Sequence, residues 1–173
     1  MKLDIGEVNI HTMLQSVVSL VHERLREHKI KFSLKCSRTI GNLFADETRI
    51  KQIIFNLLSN SIKYSEVGGK IVLSAEIIPA DNGAQEMIAI TIADDGMGIA
   101  PEEQQAVFDT FYRGITSRTQ KSGAGLGLSM VKSFVELHGG RVELFSAAGE
   151  GTRVVCHLPR HNANLIAFMK AQA

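Results

Sequence analysis

The sequence predicts a two-layer α/β sandwich. Strand-like runs come in adjacent pairs joined by turn residues: KIVLSAEII (70–78) and EMIAITIAD (86–94) flank PADNGAQ, and RVELFSA (141–147) and TRVVCHLP (152–159) flank a glycine turn. Adjacent strands so joined read as antiparallel hairpins. Helical patterns are interleaved with them at about 10–28, 47–64 and 125–138. A doubly wound parallel sheet would instead alternate single strands with helices.

Each element has a local reason. Ile10, Leu14, Val17, Val18, Val21 and Leu25 share one helical face, and Asn9 stands where an N-cap belongs. IKFSLK (30–35) alternates as a strand does. Gly41-Asn42 makes a turn into a short extended piece, Leu43-Phe44, and Asp46 caps a second helix over 47–64 that Gly68-Gly69 closes. A glycine turn follows at 96–98, with a short helix near 101–107. Residues 112–124 are polar and aperiodic, which predicts a long mobile loop. The third helix stops at Gly139-Gly140. The tail after Pro159 fits a short helix or none.

The 173 residues amount to one domain, taken as 1–173 with a linker remnant at 1–8 and a tail at 160–173. A hydrophobic fraction of 45% and a charged fraction of 21% exclude general disorder. Nineteen basic against 18 acidic residues leave a net charge of +1, which argues against nonspecific nucleic-acid binding. No apolar run approaches the roughly 18 residues of a membrane span, and the start MKLDIGEVNIH is no signal peptide. Cys36 and Cys156 have no metal-ligand spacing and read as reduced, cytosolic thiols.

Three clusters carry chemistry. On the second helix, with Asn56 at zero on the helical wheel, Asn60 falls at about 40° and Lys63 at about −20°. Ile50, Ile53, Ile54, Leu57, Leu58 and Ile62 fill the opposite, apolar arc. Such a ridge is either a solvated face or a site. Asparagine is a poor helix former, an amide oxygen can ligate Mg²⁺ without adding charge, and a lysine can meet a phosphate. Asp94-Asp95-Gly96-Met97-Gly98 puts a carboxylate at a strand end before two glycines, which suits a flat ring against the backbone as well as an ordinary turn. Gly123-Ala124-Gly125-Leu126-Gly127-Leu128 precedes the third helix, where free N–H groups favour phosphate. It is neither a Walker A loop nor a dinucleotide fingerprint. Between these clusters lies Phe108-Asp109-Thr110-Phe111-Tyr112-Arg113, in which Phe108 suits the core and Arg113 a phosphate.

In this order the clusters resemble those of the catalytic, ATP-binding domain of sensor histidine kinases, within the group that includes gyrase-type and mismatch-repair ATPases. NLLSNSIKYS (56–65) looks like the asparagine box, DDGMGI (94–99) and GAGLGLSMVK (123–132) the glycine boxes, and FDTFYR (108–113) the phenylalanine box. The closing GGRVELFSAAGEGTRVVCHLP (139–159) also has the family's look, so the resemblance spans nearly the whole chain.

The resemblance implies the Bergerat fold, a mixed and largely antiparallel sheet with three helices on one face. It implies that Asn60 holds Mg²⁺ with ATP, that Asn56 stands beside it, and that Lys63 reaches phosphate. Tyr64 would line the pocket with Ile99, Phe111, Leu126 and Leu128, and Asp94 would accept the adenine amine. Gly96 and Gly98 would give the ring room, and Thr152 would back the aspartate. Gly123, Gly125 and Gly127 would shape the end of the lid, with Arg113 on the γ-phosphate and Arg118 and Lys121 as weaker candidates. Ala124 departs from the family's frequent Thr or Ser, at the loss of a hydroxyl contact. Asn56, Lys63 and Arg113 are the residues expected to serve catalysis.

Water-hydrolysing relatives carry a Glu four residues before the magnesium asparagine. Asn56 stands there instead, and an amide is a poor base. A kinase needs no such base, because its acceptor imidazole is itself a nucleophile. None of His11, His22, His28, His138, His157 and His161 has the context of an acceptor histidine. The expectation is therefore a monomeric, cytoplasmic catalytic fragment that lacks its dimerisation and phosphoacceptor helices. It would act on them as partner and on a response regulator indirectly, without nucleic acid or membrane contact. A non-enzymatic ATP-sensing or docking module is the alternative, and a serine kinase of the anti-sigma type a third reading.

Overall fold

The computed structural model describes residues 3–81, 85–109, 127–161 and 167. The chain runs through β1 (Gly6–Asn9), α1 (Ile10–Glu27), β2 (Lys31–Cys36), β3 (Asn42–Ala45), α2 (Glu47–Tyr64), β4 (Lys70–Ile78) and β5 (Met87–Asp94). After two 3-10 turns at Pro101–Glu103 and Ala106–Phe108 come α3 (Gly127–Leu137), β6 (Arg141–Ala147) and β7 (Gly151–Pro159). The expected short helix at 101–107 is thus split into two single turns. The start of the expected third helix at 125–126 and the loop 112–124 lie outside the described residues. Strand β1 is an addition that no sequence pattern marked.

The main sheet has the order β2-β4-β5-β7-β6. Only β2 and β4 run parallel, with Lys31 opposite Lys70, and the other three pairings are antiparallel. β1 and β3 form a separate antiparallel ribbon. Alternate residues of the main sheet, Ile71 and Leu73, Ile88, Ile90 and Ile92, Val154 and Cys156, pack with the apolar faces of all three helices into one core. On the opposite sheet face Phe145 is 46% exposed, with the guanidinium of Arg153 over its ring. Each fully buried aliphatic side chain contributes about 1.5–3 kcal/mol, so the helices are held chiefly by this face. The mixed two-layer sandwich is the one the sequence predicts.

Local capping fixes where the helices start. The Asn9 side chain accepts from the Thr12 amide at 3.0 Å, and the Asp46 side chain from the Arg49 amide at 3.1 Å. Such caps each stabilise by roughly 1 kcal/mol. Arg160 joins the ribbon to the main sheet: its guanidinium donates to the carbonyls of Ile40 and Asn42 and to the Glu86 carboxylate. Cys36 and Cys156 are unpaired, and core burial pushes the Cys156 thiol up to about 12.

Candidate functional site

The carboxyl half of α2 faces the end of β5 and the start of α3. Asp94 closes β5, and its position on the helix side of the sheet points its carboxylate at α2. The Ser61 hydroxyl donates to one oxygen at 2.8 Å, and the Gly96 amide donates to the other at 3.0 Å. Burial pushes the Asp94 carboxyl above the usual aspartate value, and the donors from Ser61, Gly96 and Thr152 partly offset this. Neighbouring Asp95 adds a small upward push.

Three turns interlock around this carboxylate. The Met97 amide donates to the Tyr64 carbonyl at 3.3 Å, and the Gly149 amide to the Met97 carbonyl at 2.7 Å. Gly98 has a φ of +69°, and a Cβ there would run into the Ala147 carbonyl. Gly151, at φ +87°, is pressed in the same way against the backbone of Asp94. Both positions therefore require glycine. A Cβ on Gly96 would meet the Tyr64 carbonyl at 2.6 Å, so this turn also leaves no room for a side chain.

A hydroxyl pair backs the turns. Thr152 Oγ1 lies 2.9 Å from Ser146 Oγ, and the Ile99 amide donates to Ser146 Oγ at 2.8 Å. Gln104 ties the same strand down, donating to the carbonyls of Ile99 and Ser146.

Along α2 the expected ridge meets α3 running the other way. A Cβ on Gly127 would stand 3.5 Å from Asn60 Nδ2, Asn56 Nδ2 lies 3.6 Å from Met130 Sδ, Arg49 covers the Phe134 ring, and Asp46 meets His138. Gly127 is the first described residue of α3, and it stands beside Asn60. Lys63 Nζ sits 4.9 Å above the Tyr64 ring. Leu128 is partly buried against the core.

Asn56, Asn60, Lys63, Tyr64, Asp94, Gly96, Gly98, Ile99, Gly127, Leu128 and Thr152 thus border one region between α2, β5, the 96–98 turn and α3. Phe108, assigned to the core, is half-buried, with Lys132 Nζ 6.0 Å from its ring. Phe111, Arg113, Arg118, Lys121, Gly123, Ala124, Gly125 and Leu126 lie outside the described residues. Sequence reasoning missed Ser61 and Ser146. Ser61 carried a signal, because it is a polar residue in the middle of the apolar arc of α2 and is only 6% exposed.

The residues fit a magnesium ion carried by a nucleotide better than a metal held by protein alone. Among the described residues, no group of three or more His, Cys, Asp or Glu could hold a metal. Nor, among them, does any hydrogen bond engage the Asn60 amide. Mg²⁺ that arrives with a nucleotide needs few protein oxygens, because phosphates and waters fill most of its shell.

Comparison with known proteins shows the family. Residues 45–162 match the family described as histidine kinase-, DNA gyrase B-, and HSP90-like ATPase. The chain is 34% identical over 142 residues to an uncharacterised sensor-like histidine kinase of Rhizobium meliloti, covering 82% of this chain and 26% of that one. It is 38% identical over 115 residues to the sensor histidine kinase WalK of Bacillus subtilis, covering 66% of this chain and 18% of WalK. It therefore spans about a quarter or less of these relatives. The catalytic domain of histidine kinase ThkA superposes with a TM-score of 0.78 at 26% identity, covering 91% of this chain and 97% of that domain. Full-length ShkA in complex with AMPPNP gives 0.79 at 29% identity, covering 94% and 32%. In the described residues no helix is long and apolar enough to cross a membrane. The chain belongs to the histidine kinase-, DNA gyrase B-, and HSP90-like ATPase family, and within it to the catalytic, ATP-binding domains of histidine kinases.

Proposed function

We propose that this domain binds Mg·ATP and donates the γ-phosphoryl group to a histidine on a separate dimerisation and phosphoacceptor domain, in two-component signalling. The observation that carries the reading is Asp94: a half-buried carboxylate, fixed by Ser61 and Gly96, at the end of a ridge of neutral amides and a lysine. Asp94 accepts the exocyclic amine of adenine, and Gly96 and Gly98 keep side chains away from the ring. Thr152 and Ser146 hold a water or the aspartate from behind. Tyr64, Ile99, Phe111, Leu126 and Leu128 line the pocket. Asn60 holds the magnesium, which neutralises charge on the phosphates, and Asn56 orients the same groups. Lys63, Arg113 and the amides of Gly123, Gly125 and Gly127 meet the phosphates.

In the transfer the imidazole nitrogen of the acceptor attacks the γ-phosphorus. A P–N bond forms, the bridging P–O bond breaks, and ADP carries the electron pair away. Asn56, being an amide, does not serve as a base for water. The response regulator then takes the phosphoryl group from the acceptor.

Radiolabelled ATP supplied with and without a separate acceptor helix hairpin tests the reading. The expected result is acid-labile label on the hairpin and none on this chain. Label on this chain alone, acid-stable label, or no transfer despite tight ATP binding would each overturn it.

A further inference from the structure

His138, just past the end of α3, is 2% exposed, and both its ring nitrogens are used. The Asp46 amide donates to Nε2 at 3.1 Å. Nδ1 lies 2.7 Å from the Phe134 carbonyl and, with Nε2 an acceptor, must carry the proton and donate. The ring is therefore neutral. A protonated ring would aim an N–H at the N–H of Asp46.

The place of this clasp matters. Asp46 is the N-cap of α2, and its carboxylate already accepts from the amides of Arg49 and Asp4. From the clasp the two helices run antiparallel through the Arg49–Phe134 and Asn56–Met130 contacts to Asn60 beside Gly127. One end of the helix pair is locked by His138, and at the other the Asn60 amide faces Gly127. We propose that neutral His138 is a positioning residue for nucleotide binding, which sets the register of α3 on α2 and so the distance between Asn60 and Gly127.

This rests on the ATP-binding reading and adds a pH dependence to it. Among the described residues, these charged groups lie about the ring. On α2 the Asp46 carboxylate favours the protonated ring, and Arg49 lies over Phe134 one turn away. Asp4, ahead of β1, enters only through its amide. On the side of α3 and β6, Glu136 is exposed and Arg141 pairs with Glu143. Burial outweighs these and holds the imidazole below the ordinary 6.5.

The test is calorimetric titration of Mg·ATP into wild type and His138→Gln at pH 7.5 and pH 5.5. Gln places an amide oxygen where Nε2 stands and cannot take up a proton. Both chains should bind similarly at pH 7.5. At pH 5.5 the wild type should weaken at least fivefold more than the variant. Titration of ATP itself and of Asp94 affects both chains equally and cancels in that comparison. Parallel losses would overturn the inference while leaving ATP binding intact, whereas no wild-type binding at pH 7.5 would overturn the functional reading beneath it. If the variant does not fold, ring nitrogen shifts of wild-type His138 are followed instead across the same pH range. Protonation that coincides with loss of affinity supports the proposal, and protonation without such a loss refutes it.

Discussion

The two ends of α2 use the same kinds of side chain for opposite purposes. At the amino end the buried polar groups are closed by protein: Asp46 bonds to Arg49, Asp4 and His138, and Arg49 donates to Gln52. At the carboxyl end Ser61 serves Asp94, while the Asn60 amide has no hydrogen-bonding partner among the described residues. A buried polar group left unpaired costs about 1–3 kcal/mol, so Asp46 and His138 are paired within the fold, while the Asn60 amide is only half-buried. Both ends belong to one helix pair, which makes the open end depend on the closed one.

The comparison breaks most sharply at the turn beneath the open end. Gly98→Ala adds a side chain at φ +69° against the Ala147 carbonyl. We expect a loss of about 3 kcal/mol or more in urea unfolding, together with loss of nucleotide binding. At the closed end, His138→Leu leaves the Asp46 amide without its acceptor and should cost about 2 kcal/mol. The pH dependence has a definite sign. A histidine held below its unfolded value of 6.5 takes up fewer protons folded than unfolded, so its stabilisation is present above 6.5 and is lost as pH falls through that window. Chemical denaturation from pH 7.5 to 5 should show this slope in wild type and a shallower one in His138→Gln.

Smaller effects sharpen the open end. Asn60→Ala should weaken Mg·ATP about tenfold, near 1.4 kcal/mol, and leave metal-free ATP almost unchanged. Chelation of magnesium should bring the wild type to the level of the variant. The smallest effect has the opposite sign: Asp94→Asn should stabilise the nucleotide-free domain by up to about 1 kcal/mol, or roughly 2–4 °C. Burial raises the Asp94 carboxyl, so its ionised form opposes folding at neutral pH, and its contribution to stability falls as pH rises from 3.8 through the raised value. A melting curve of the variant that is lower than wild type would contradict this.

Much of the open end was legible in sequence, because it is written in short-range spacing. Asn56, Asn60 and Lys63 share a face by helical period alone, and Asp94 with Gly96 and Gly98 is contiguous. At the closed end the Asp46 cap was legible, but the His138 clasp was not. His138 and Asp46 are 92 residues apart, and only the antiparallel packing of α3 on α2 joins them. The parallel pairing of β2 with β4 is hidden for the same reason, since α2 lies between the two strands. β1 is four residues with one buried side chain, too little for a period to show.

The most direct measurement is a calorimetric titration of the domain with ATP and ADP, with and without Mg²⁺, beside Asp94→Asn. The account predicts micromolar binding of Mg·ATP, at least a hundredfold weaker in the variant, about 2.7 kcal/mol. Equal binding by the two proteins, or none at millimolar nucleotide, would contradict it.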